Sequence, residues 1–178
     1  MEVAKFHLPR YQNTVKICKL SPTQVNPSDF AIATRFVAMY LFIKVKGSRL
    51  MTYQYLTVDM IAAAKEKGGF IDQKTIKTAG KYRFDSLILT DVNMQVLNGY
   101  ISYVRPLLKP QCDFFLVNRN GGQHGKLGEI MSKLVFDAIG KYTHPTRYRQ
   151  IVETQDLNQL TSKEQGILSE GQKQFCFC

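Results

Sequence analysis

The sequence predicts a mainly α-helical domain with one small antiparallel β-hairpin, an α+β fold, on three observations. Apolar residues recur at helical spacing in several separate stretches. Two short runs rich in Phe, Ile, Tyr and Leu flank a Thr78-Ala79-Gly80 turn signal. Glycine or proline marks most of the junctions between these runs. The 178 residues fit one domain, and 44% apolar content is enough for a real core.

Residues 1–26 mix basic side chains with Pro9, Asn13, Pro22 and Asn26 and show no sustained period, so they are expected to form a basic N-terminal arm ahead of a domain over 27–178. Asn26-Pro27-Ser28-Asp29 is a helix start, with capping side chains and an early proline. Phe30, Ala33, Phe36, Val37, Tyr40, Leu41 and Ile43 then crowd one broad face up to Gly47. Thr57 and Asp59 open a second helix that Gly68-Gly69 closes, with acid at its positive end and lysines at its negative end. GGFIDQKTI and YRFDSLILT read as two strands around the turn. Asp91 caps a helix carrying Val92, Val96, Leu97, Ile101 and Val104, which Pro106 and Pro110 terminate. DFFLV is a short buried strand or extended segment, and NRNGGQ is a turn. From Lys126 to Ile139 the apolar positions again keep a helical period until Gly140. His144-Pro145 opens a further helix through Arg147, Arg149 and Ile151, and Ser162–Gln172 is a last amphipathic stretch.

Charge and cysteine usage narrow the function class. Twenty-four basic against 14 acidic side chains give a net charge of +10. Such an excess favours polyanions, because cations on phosphates release condensed counterions. No apolar run approaches the roughly 18 residues needed to span a bilayer, and the N-terminus lacks a signal-peptide core. Cys18, Cys112, Cys176 and Cys178 are too scattered for a disulfide framework or a zinc pattern. These features predict an intracellular protein with no metal site on its cysteines and favour a polyanionic partner over a membrane or a small-molecule substrate, though charge alone does not identify a nucleic-acid binder.

Three segments place cations where they can act on phosphate. Arg49 follows the Gly47 turn, where a planar guanidinium fork can be offered from a rigid junction. Lys74, Lys77 and Lys81 lie in or beside the hairpin turn, from which a lysine can enter a duplex groove and protonate a leaving oxygen. His144 and Arg147 stand three apart at a helix start, on one face, with Arg149 close behind. Taken singly, each has a plainer interpretation: a solvated surface arginine, charges that protect an edge strand, a chance H-x-x-R.

Their order is more specific. Gly47-x-Arg49 with Leu56 and Asp59 after it, a basic hairpin, NRNGG before a helix, and His144-Pro-Thr-Arg147 together resemble the catalytic domain of tyrosine recombinases. The wording is most similar to Crypton-type integrases of eukaryotic mobile elements and their domesticated relatives, over roughly residues 28–172. The resemblance implies DNA breaking and rejoining without a cofactor. Arg49, Arg147 and His144 would stabilise the phosphorane, and Lys77 would protonate the leaving oxygen, with Lys74 a competitor for that role. Lys74, Lys81, Lys126 and Arg149 would add contacts to double-stranded DNA. A nuclear location and a monomer that assembles further on DNA are implied as well.

Two departures limit this expectation. Gln174 stands about where the family has a second histidine or tryptophan. The last tyrosine is Tyr148, too early to match the nucleophile, and the sequence reaches Cys178 without another. The expectation is therefore a DNA-binding domain unable to cleave alone. A domesticated protein-interaction domain and a recombinase completed by a partner's tyrosine are the alternatives. The recombinase reading requires Arg49, Arg147 and His144 to converge on one oxyanion-sized point.

Overall fold

The computed structural model describes residues 2–44, 50–72, 86–144, 146, 147 and 150. Among these the chain is mainly helical, with one two-stranded antiparallel sheet, as the sequence predicts. No helix among the described residues is long and apolar enough to cross a membrane.

The first correction concerns the N-terminus. Residues Glu2–Leu20 form a continuous helix, α1, rather than an irregular arm. Val3, Ala4, His7, Tyr11, Thr14 and Cys18 are buried at steps of one, three or four residues, which is one helical face. Polar members disguise the stripe. His7 Nε2 donates to the Leu134 carbonyl (2.9 Å), and Thr14 Oγ1 donates to Arg10 O (3.0 Å). Pro9 sits inside the helix without ending it. Its missing N–H would have met the Lys5 carbonyl one turn back, and both residues are exposed, so water can satisfy that carbonyl. α1 packs on the rest of the molecule and belongs to the same core.

Helix α2 (Pro27–Lys44) is the centre of the fold. Every residue from Ala33 to Phe42 except Arg35 is buried, as expected of a helix apolar nearly all round. It contacts α1, the short helix α3 (Leu50–Gln54) and three later elements. Helix α4 (Val58–Glu66) begins where the sequence places it, with Thr57 Oγ1 accepting from Met60 N–H (3.2 Å). Gly69, at φ 86°, closes it, and a Cβ there would collide with the Leu89 carbonyl oxygen.

Strands β1 (Phe70–Asp72) and β2 (Ser86–Ile88) pair antiparallel, with Phe70 opposite Ile88 and Asp72 opposite Ser86. Ile71 and Leu87 face the core. The hairpin base is thus where the sequence puts it, while the connecting residues 73–85 lie outside the described residues.

Helix α5 (Asp91–Gly99) is capped by Thr90, one residue earlier than expected. Thr90 Oγ1 accepts from Asn93 N–H (3.3 Å), and Asp91 sits in the first turn, where its charge suits the helix dipole. The helix runs into a π-helical turn (Tyr100–Val104) and a 3₁₀ turn containing Pro106. The wide turn buries Tyr100 completely, and its hydroxyl meets Thr34 Oγ1 at 3.1 Å.

Residues 113–117 form the extended alternative rather than a sheet strand. They bridge Thr57 to Phe114 and Val117 to Gln123 only, while Phe115, Leu116 and Val117 are fully buried. Arg105 clasps this segment, donating from Nη2 to Cys112 O (2.7 Å) and Phe114 O (3.0 Å). The NRNGGQ turn closes with Gly121 N–H on Asn118 O (3.0 Å). Helix α6 (Leu127–Ile139) follows, and Gly140 ends it in the left-handed region (φ 67°).

Candidate nucleic-acid interface

The site the sequence points to is built around α6. Its apolar stripe, Leu127, Met131 and Leu134, is buried against α1 and α2. The opposite flank is left for polar groups. Lys126 stands before the first turn with φ 54°, exposed, at the positive end of the helix.

After Gly140 the chain doubles back. Ser132 Oγ lies 3.2 Å from Thr143 O and 2.9 Å from Gly128 O, so its one hydroxyl proton is shared between the two carbonyls. Ser132 is six positions after Lys126, about 9 Å along the axis at the usual rise. His144 is thereby brought back toward the lysine end of α6 instead of trailing beyond its far end.

His144 has a fixed chemical polarity. The Thr146 backbone N–H donates to its Nδ1 at 3.3 Å. Nδ1 therefore carries the lone pair, and in the neutral ring the proton is on Nε2. His144 and Arg147 are both exposed. An Nε2–H donor and a guanidinium three residues apart can address two oxygens of one phosphate. Among the described residues neither Lys126 nor Arg147 forms a salt bridge, whereas Arg10 pairs with Asp29 at 2.8 Å.

Of the other expected site residues, Arg49, Lys74, Lys77, Lys81 and Arg149 lie outside the described residues, as does the Ser162–Gln172 stretch. The convergence of Arg49 with Arg147 is therefore not part of this geometry. What is described is the neighbourhood: Leu50 opens α3, and α3 packs on both α2 and α6. Gln123 Nε2 also donates to Gln54 O (3.0 Å), tying α3 to the turn before α6.

Two polar residues escaped the sequence reading. His124, just before α6, is partly buried, and its Nδ1 donates to Gly125 O (2.9 Å). Burial pushes its pKa below the ordinary value of 6.5, against the effect of that hydrogen bond, and nearby Arg35 lowers it further. Arg35 itself interrupts an otherwise apolar run, the sole charge between Asp29 and Lys44. That interruption was the available signal. No cluster of potential metal ligands occurs among the described residues. No protein-family model, curated protein or solved structure matches this chain.

Proposed function

We propose that this chain is a duplex-DNA-binding domain of the tyrosine-recombinase type, with the segment after α6 as its phosphate-contacting element. The observation that carries the reading is the return of residues 140–143 along α6, which leads the chain into His144. His144, Arg147 and Lys126 are all exposed to solvent, Lys126 just before α6 and the other two in the segment after it. A net charge of +10 supplies the long-range attraction. Arg49 and the hairpin lysines Lys74, Lys77 and Lys81 complete the contact surface in this reading. Strand cleavage would require a nucleophile from outside these 178 residues or from another subunit, since no tyrosine follows Tyr148.

The test is fluorescence anisotropy of a labelled duplex titrated with the protein at low and high salt. Binding that weakens steeply with salt and depends little on sequence is expected. Equal affinity at both salts, or none at low salt, rules the reading out.

A protein-interaction domain of the same fold is the second reading. It is favoured by Phe136 and Tyr142, stacked at 4.3 Å yet 39% and 72% exposed at the far end of α6, next to exposed Ile139. Retention of duplex affinity in Tyr142→Ser separates the two surfaces.

A further inference from the structure

A groove between α1, α2 and α6 is lined by none of the residues of the His144 segment. It is an open cleft of about 360 Å³, within the size range of small-molecule sites. Each helix contributes a cationic side chain to its lining, Arg10 from α1, Arg35 from α2 and Lys133 from α6, of which Arg10 is already paired with Asp29 at 2.8 Å. Glu129 and Asp137 line it too, but neither is within salt-bridge distance of Arg35 or Lys133. On α6, Ile130, Leu134 and Asp137 are turned away from Ser132, which holds the returning chain, while Glu129 and Lys133 lie on the flank between.

Arg35 is the unusual member. Its Nε is buried and has no hydrogen-bond partner among the described residues. A buried guanidinium N–H without an acceptor is costly to keep. Arg105, on the same fold, has two backbone carbonyls as partners. The cost at Arg35 is offset if an anion occupies the groove. Cations arriving from three directions suit a tetrahedral phosphate better than a carboxylate, which one guanidinium fork satisfies. Glu129 and Asp137, in no salt bridge among the described residues, suit hydroxyl donors on the rest of the ligand.

We propose that this groove binds the phosphate monoester of a small hydroxylated molecule, of the sugar-phosphate class. The phosphoryl oxygens face Arg35, with Arg10 and Lys133 around them, and the ligand's hydroxyls donate to Glu129 and Asp137. The proposal does not rest on the DNA reading.

Calorimetric titration of the 178-residue chain with glucose 6-phosphate, inorganic phosphate and glucose tests it. Glucose 6-phosphate should bind more tightly than phosphate, and glucose should not bind. Arg35→Met should weaken the sugar phosphate by about tenfold or more, since a charge-assisted hydrogen bond is lost, while duplex-DNA affinity is unchanged. Absence of binding, or equal binding by Arg35→Met, overturns the site. Equal affinity for phosphate and glucose 6-phosphate overturns the assignment of the hydroxyl-binding carboxylates. If Arg35→Met fails to fold, Lys133→Gln, at an exposed position, carries the same test.

Discussion

The layer around α2 and the outer flank of α6 handle polar groups in opposite ways. Around α2, Arg35 apart, the buried hydroxyls are paired: Tyr11 donates to Val96 O at 2.6 Å, Tyr40 to Asn93 Oδ1 at 3.2 Å, and Tyr100 meets Thr34. Burial pushes the Tyr11, Tyr40 and Tyr100 hydroxyls up in pKa, which keeps them neutral donors. On the α6 flank, Ser132 and Thr146 use their hydrogen bonds to fix backbone and ring, and the cations are left facing water. The first region specifies the fold, and the second presents charge. Substitutions should therefore divide cleanly, with stability lost in one region and anion affinity in the other.

The largest effect is expected at Leu116, fully buried in the hydrophobic core. Leu116→Ala should destabilise by about 2–5 kcal/mol, the usual cost of such a cavity, read by urea denaturation. At urea concentrations where it remains folded, its duplex affinity should match the parent; a specific loss of affinity would blur the division. Tyr100→Phe comes next, because it strips a partner from Thr34 and leaves the weaker Val117 N–H contact (3.5 Å) unmet. About 1–3 kcal/mol is expected for a buried donor or acceptor left unpaired.

His124 provides a test by pH. The unfolded chain takes up a proton near 6.5, but the folded ring resists it. Stability is therefore fully present above 6.5 and is lost as pH falls below it toward the depressed folded pKa. Urea midpoints measured through that window should decline, and His124→Gln should flatten the decline. An unchanged slope would remove His124 as its source. Ser132→Ala should be the mildest in stability, about 1 kcal/mol or less. It frees the returning segment, so duplex binding should weaken although no cation is removed. Unaltered binding would show that the tie to Thr143 does not position His144.

Sequence reasoning found the elements whose ends carry strong local chemistry. Thr57 with Asp59, the Gly68-Gly69 stop, and Gly140 all act through their immediate neighbours, so a linear reading captures them. It missed α1 because His7 and Thr14 occupy core positions as hydrogen-bonded polar residues, which dilutes the apolar count. It also misjudged the α5 cap by one residue, since Thr90 and Asp91 can both fill that role. The candidate site was legible as a pair, His144 and Arg147, but not as a surface. Its return along α6 depends on one tertiary hydrogen bond from Ser132, which no local pattern announces. Arg35 was passed over because a charge inside an apolar helix has meaning only once the neighbouring helices are in place.

The central claim, that the returning segment contacts phosphate, is tested most directly by the salt dependence of duplex affinity in Arg147→Gln. Log affinity against log salt should remain linear, with a slope shallower than the parent's by about one, because one phosphate contact is gone. The loss should be uniform across duplex sequences and the urea midpoint unchanged. A slope identical to the parent's, at identical affinity, would contradict the account.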